Sequence, residues 1–186
     1  MKQIMLGMLA LAAVAQAQEA APTVEEIVAK ANRAAYYQGK SGRARVSMSI
    51  QDAQGRTRTR EFTILRLDLE PEGAPGDTFS GDQKFYVYFE RPADVNKTAY
   101  LVHKHVGKDD DRWLFLPGLN LVKRIAASDT RTSFVGSDFY YEDVSGRNPA
   151  DDTHERVETT DTYYVLKSTP KDPKAVEFAS YKVWIH

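Results

Sequence analysis

Cysteine is absent from the 186 residues. That absence excludes thiol nucleophiles, disulfide frameworks, cysteine-ligated zinc, iron–sulfur clusters and haem attached through C-x-x-C-H. It also excludes an N-terminal lipid anchor, which needs a cysteine just after an export signal. An excess of charge of either sign is missing too. With 25 basic and 26 acidic side chains the net charge is −1, and no electrostatic footprint for nucleic acid or an anionic membrane surface is present. No apolar run is long enough for a permanent membrane span. What remains is a chain of one-domain length, able to bury a real core.

The first residues read as an address. Lys2 is the only charge before Glu19, the chain is apolar from Ile4 to Val14, and Ala15-Gln16-Ala17 supplies the small-residue pattern that a signal peptidase accepts. Residues 1–17 are expected to be a signal peptide and 18–186 a single exported domain, periplasmic in location. The last apolar stretch runs to His186 with no closing turn, as in a chain that continues further.

Thr23 stands three residues before Glu26, the spacing of a capping box. Val24, Ile27, Val28, Ala31 and Ala35 follow at helical spacing, which predicts a helix over Val24–Tyr37 ended by Gly39. Strands follow. Ala44, Val46, Met48 and Ile50 alternate with polar residues, and Asp52-Ala53-Gln54-Gly55 turns the chain into a second strand. Pro71, Gly73, Pro75 and Gly76 mark a loop. Further strands are predicted at Phe85–Phe89, Tyr100–Val102, Arg112–Leu116, Leu121–Ile125, His154–Thr159, Thr162–Ser168 and Phe178–Ile185. Between them, Ser133–Val144 lacks alternation and reads as a loop entering a short helix. One helix and nine antiparallel strands make an α+β, mainly-β domain built on a curved sheet.

Catalytic signatures are weak. Gly39-Lys40-Ser41 lacks the first glycine of a phosphate-binding loop and lies at a helix-to-strand junction, the reverse of the required order. Ser41 has no G-x-S-x-G frame. The run Asp109-Asp110-Asp111 lacks the glycine and glutamate of a calcium loop and reads as a solvated turn. His103 and His105 share one strand face, a spacing that zinc or copper accepts. No third ligand is placed by spacing, so they read as a hydrogen-bonded pair, with no metal and no cofactor expected. Asp138, Glu142 and Asp143 are a possible acid–base cluster for a hydrolase, but equally suit caps and a solvated face. The caps and solvated face are the reading taken, and no enzyme is expected. The aromatics say more: Phe85, Tyr86, Tyr88, Phe89, Tyr100, Trp113 and Phe115 concentrate in three successive strands. They suit either a closed core or an apolar cavity.

Glu90-Arg91-Pro92, the Gly107…Trp113-Leu114-Phe115-Leu116-Pro117 hairpin, Val122-Lys123-Arg124-Ile125 and Gly136-Ser137-Asp138-Phe139-Tyr140-Tyr141-Glu142-Asp143 together resemble a known family. The chain is similar to the LolA-like outer-membrane lipoprotein-sorting proteins. The resemblance spans about Phe85 to Val144, and its most specific motif holds Gly136, Ser137, Asp138, Phe139, Glu142 and Asp143. It implies a half-open antiparallel β-barrel with helices across its mouth and an apolar cavity that carries acyl chains without covalent chemistry. The implied cavity residues are Phe85, Val87, Phe89, Leu101, Trp113, Phe115 and, from the helix, Ile27. Arg91 matches an arginine that latches the lid in the carrier. Where the carrier has a phenylalanine after that step, this chain has Ala93-Asp94-Val95. The implied partners are a lipid or acylated lipoprotein, an inner-membrane transporter and an outer-membrane acceptor, with no nucleic acid and no stable membrane insertion. The alternative is a non-enzymatic accessory subunit of an envelope transport complex that exports hydrophobic substrates.

Overall fold

The computed structural model describes residues 21–69 and 81–186. The predicted signal peptide and the proline- and glycine-marked loop at 71–76 lie outside these residues. Helix α1 spans Val24–Tyr36 and starts with the expected capping box. The Thr23 hydroxyl accepts the Glu26 N–H at 3.2 Å, and the Glu26 carboxylate accepts the Thr23 N–H at 2.8 Å. Two orphan donors of the first turn are thereby satisfied. Ile27 is the buried residue of this helix.

Six strands form one antiparallel sheet in chain order: β1 Ser41–Gln51, β2 Thr57–Asp68, β3 Gln83–Arg91, β4 Ala99–Lys104, β5 Asp111–Leu116 and β6 Leu121–Ile125. Among the described residues no pairing joins β6 back to β1. The sheet is a half-open barrel. The second sheet is β7 Asp152–Thr159, β8 Tyr164–Pro170 and β9 Tyr181–Ile185. Strand β9 starts three residues later than its apolar pattern predicts. Phe178 instead packs edge-on against Tyr181, ring centroids 5.5 Å apart, and under the Arg131 guanidinium. Strand β8 starts at Tyr164 because the Thr160 hydroxyl accepts the N–H groups of Thr162 and Tyr163, which fixes a turn there.

Register decides which side chains meet. On the inner face, Ile64, Val87, Tyr100 and Leu114 lie in one row across β2 to β5. Phe62 and Phe89 form the adjoining row. These residues, with Phe85 and Val102, build the core. On the outer face, Leu65, Tyr86, Leu101 and Trp113 form a matching row, with Arg43 on β1 and Arg124 on β6 at its two ends. The next outer row includes Tyr88, Ala99, Phe115 and Val122. Both faces are therefore apolar: the inner one is buried, while on the outer one Leu65, Tyr86 and Val122 are exposed and Leu101, Trp113 and Phe115 half-buried.

Candidate functional site

The cover comes from the irregular segment between β6 and β7. Val135 and Gly136 both take left-handed backbone, with φ 47° and 80°, so the chain doubles back within a few residues. Ser133 and Tyr140 form a β-bridge, and the Phe134 N–H bonds the Phe139 carbonyl at 2.7 Å. The Ser137 hydroxyl donates to the Phe134 carbonyl at 2.7 Å and accepts the Phe139 N–H at 3.2 Å. The result is a tight turn that points Phe134 inward. Its side chain is 3% exposed, with ring centroids 5.7 Å from Phe89, 6.0 Å from Phe62 and 5.8 Å from Tyr100. Tyr141 stands perpendicular to it at 5.5 Å.

The acidic residues of the same motif hold this turn in place. An Asp143 carboxylate oxygen accepts the Tyr140 N–H at 2.7 Å and caps the 3-10 turn Tyr141–Val144. Glu142 pairs with Arg131 at 2.6 Å and Arg147 at 3.2 Å. Arg147 in turn grips Asp152, whose side chain is fully buried, at 2.9 Å. Asp138 and Phe139 are exposed. The three carboxylates thus serve as cap, ion-pair partner and surface group, and do not converge as an acid–base pair.

Burial raises the Tyr100 hydroxyl well above its ordinary pKa, and the hydroxyl donates to the Tyr141 carbonyl at 3.2 Å. Burial lowers Lys104, whose ammonium donates to the Ser145 carbonyl at 2.8 Å and lies 5.1 Å over the Tyr36 ring. Tyr36 closes the remaining gap from α1. Its ring lies against Gly146, where an added Cβ would fall 2.3 Å from Tyr36 Cζ. Its carbonyl accepts from Gln83 Nε2 at 2.7 Å and from Arg66. The end of α1 is therefore docked to the sheet.

The residues expected to line one cavity divide into groups. Phe85, Val87 and Phe89 alternate inward and belong to the aromatic core. Leu101, Trp113 and Phe115 lie on the outer face, because the strand period of two separates them from Tyr100, Val102 and Leu114. Ile27 is buried on α1, outside that core cluster. Arg91 lies at the end of β3 with its side chain 76% exposed, and its ion-pair partner is Glu61 of β2 at 3.8 Å, not α1. Phe134, the most central side chain of the cover, is missed by residue-by-residue reading. The signal that could have found it is the Gly136 turn immediately after it.

A cleft of about 770 Å³ opens beside the cover, at the β4–β5 turn. Its wall carries Lys104, Arg112, Arg131, Arg147 and Lys171 together with Glu142 and Asp151. Burial raises Asp151, so this carboxyl holds its proton more tightly than an ordinary one. Near the same turn, the structure also supplies what His103 and His105 lacked in the sequence. Asp82, just before β3, has Oδ2 2.7 Å from His105 Nδ1 and 3.9 Å from His103 Nε2.

A half-open antiparallel sheet with its inner face covered by an irregular segment and one helix end defines a class of fold that the comparisons identify. A family model described as "Uncharacterized protein" matches residues 81–186. Two similar solved structures are a domain described as an outer membrane lipoprotein-sorting protein domain from Vibrio parahaemolyticus and a DUF1329 family protein from Desulfovibrio piger. The first is 31% identical with a TM-score of 0.67 and covers 84% of this chain and 64% of that one. The second is 28% identical with a TM-score of 0.69 and covers 85% and 65%. A LolA superfamily protein from Nitrosomonas europaea, 19% identical with a TM-score of 0.56 over 88% and 66%, shares the fold. The chain spans less than two-thirds of each of these three. No curated protein matches it. The chain belongs to the family whose model matches residues 81–186, and its fold is LolA-like.

Proposed function

We propose that this chain is a non-enzymatic periplasmic carrier that shelters the acyl chains of a lipid or lipoprotein against the inner face of its half-open barrel. The observation that carries this reading is the cover: an aromatic sheet face is closed by the Phe134 turn and not by further strands. A chain entering there displaces Phe134 and inherits its contacts. Losing the burial of one phenylalanine costs up to about 3 kcal/mol, which about four methylenes offset at roughly 0.8 kcal/mol each. A longer acyl chain gains beyond that point. The Val135–Gly136 turn and the short 3-10 segment after it are the natural moving parts, since neither is fixed by a long hydrogen-bonded ladder.

The family resemblance and the sequence support the rest of the role. An export signal at residues 1–17 puts the mature chain in the periplasm, and among the described residues no helix is long and apolar enough to cross a membrane. Cargo would come from an inner-membrane transporter and pass to an outer-membrane acceptor, with no bond made or broken. Native mass spectrometry of the protein purified gently from a bacterial envelope tests this, and lipid or acylated protein should co-purify. A ligand-free protein that also leaves a fluorescent fatty acid unbound at micromolar concentration would end the carrier reading.

The outer face supports a second reading. Leu65, Tyr86, Leu101 and Trp113 form an apolar row in which Leu65 is 42% and Tyr86 39% exposed. An accessory subunit of an envelope transport complex would use that row as its contact surface and keep its interior filled. Binding of the acyl probe separates the two readings.

A further inference from the structure

Away from the inner face, the start of β3, the end of β4 and the start of β5 bring Asp82, His103, His105 and Asp111 together. His103 lies opposite Lys84 on β3 and Asp111 on β5. His105 is two residues on, and the same register carries Asp82 alongside it. One ligand atom from each of Asp82, His103 and His105 lies within 4.8 Å of the others. The two imidazole rings are 4.0 Å apart between centroids. We propose that Asp82, His103 and His105 form a binding site for a first-row divalent transition ion of the zinc or copper type.

The hydrogen bonds already present assign an atom to each role. Asp82 Oδ1 accepts the Val106 N–H at 2.9 Å, which aims Oδ2 at the histidines. Asp82 Oδ2 lies 2.7 Å from His105 Nδ1 and 3.9 Å from His103 Nε2. Ligand atoms around a tetrahedral ion with bonds near 2.0 Å stand about 3.3 Å apart. These two separations bracket that value and the two histidine ligand atoms lie within 4.8 Å of each other, so side-chain adjustments alone can complete the set. His103 Nε2 is a buried atom with no hydrogen-bond partner. A buried imidazole nitrogen left unsatisfied is costly unless something occupies it, and a metal ion does so.

Asp111 acts behind His105. Its Oδ2 lies 3.3 Å from His105 Nε2 while its Oδ1 is engaged by Arg124. With Nδ1 facing the ion, the Nε2–H is held by Asp111, which fixes the ring and its tautomer as metal-ligating histidines require. The backbone N–H of His105 is held at 3.0 Å by the neighbouring Asp110. Two imidazoles and one carboxylate favour zinc or copper over magnesium and calcium, which prefer all-oxygen sites. One position stays open for water.

The test uses the mature protein without a histidine tag, stripped with a chelator and titrated with zinc or copper(II) chloride against a chromophoric competitor. Saturation at one equivalent per chain and nitrogen hyperfine structure in the copper(II) EPR spectrum are expected. His103→Ala, at a partly exposed outer-face position, should keep the circular dichroism spectrum and weaken binding at least tenfold, by about the factor expected for losing a metal ligand or its support. Asp82→Asn should weaken it similarly, and His154→Ala should leave it unchanged. Binding without saturation, or equal binding by wild type, His103→Ala and Asp82→Asn, overturns the site. The site lies apart from the inner face, so this result is independent of acyl-chain binding.

Discussion

Phe89 on β3 and Phe134 on the covering turn meet with ring centroids 5.7 Å apart. One belongs to the most regular part of the molecule and the other to one of the least regular. That contact joins the barrel wall to its cover.

Removing the Phe134 ring should separate stability from binding. Phe134→Ala deletes a 3%-exposed ring from the centre of an aromatic cluster. A loss of about 3–4 kcal/mol in urea unfolding is expected, because such a cavity is incompletely filled by relaxation. The same variant should bind a fluorescent fatty acid at least as tightly as wild type, since the ligand no longer displaces the ring. Weaker binding by a folded Phe134→Ala protein would assign the ring to the ligand contact surface instead of the plug.

Gly146 is needed for two reasons at once. Its φ is +76°, and an added Cβ would fall 2.3 Å from Tyr36 Cζ. Gly146→Ala should cost roughly 3 kcal/mol, from backbone strain and overpacking together. Combining it with Tyr36→Ala removes the clash but not the strain. Thermal unfolding of the two variants should show the double mutant recovering only part of the penalty produced by Gly146→Ala relative to a Tyr36→Ala background.

The Arg147–Asp152 pair sets an acid limit on stability. Burial raises the Asp152 carboxyl, but hydrogen bonds from Arg147 and the Tyr181 hydroxyl outweigh it and hold the group below the ordinary aspartate range. A depressed folded pKa means stability that is present above the unfolded pKa, near 4, and lost as pH falls through the lower folded value. Asp152→Asn leaves Arg147 without its buried partner and should cost about 3 kcal/mol near neutral pH. Denaturation at neutral pH and again near pH 2 measures the effect. The gap between variant and wild type should shrink on the acid side, and an unchanged gap would show that the charge is not what matters.

Arg91 offers a direct check on gating. Its partner is Glu61, on the neighbouring strand, and the side chain is largely exposed. Arg91→Leu should change unfolding stability by under about 1 kcal/mol, as an exposed ion pair does, and should leave probe binding near wild type. A marked slowing or acceleration of probe release in stopped-flow fluorescence would give Arg91 a latching role that its Glu61 pair does not explain.

The helix and the strands were legible in the sequence because their signals are local. Thr23 and Glu26 form the capping box that their spacing implies, and Val46, Met48 and Ile50 keep the inward phase that their alternation implies. The choice of face on β3 to β5 was not legible. Tyr86 and Phe85 are both aromatic, as are Tyr100 and Trp113, so alternation carries no contrast and only pairing register separates inner from outer. Asp82 is a similar case: it lies about twenty residues from the histidines in sequence, and only the β3–β4 register places it beside them. The Gly136 motif was visible as a pattern, but its purpose, presenting Phe134, required the fold.

Photocrosslinking with a diazirine-bearing fatty acid, followed by peptide mapping, tests the central claim most directly. The carrier account predicts adducts on inner-face residues, Val87, Phe89 and Tyr100, and on Phe134 of the cover. Adducts confined to Tyr86, Leu101 and Trp113 on the outer face, or saturable binding with no inner-face adduct, would contradict it.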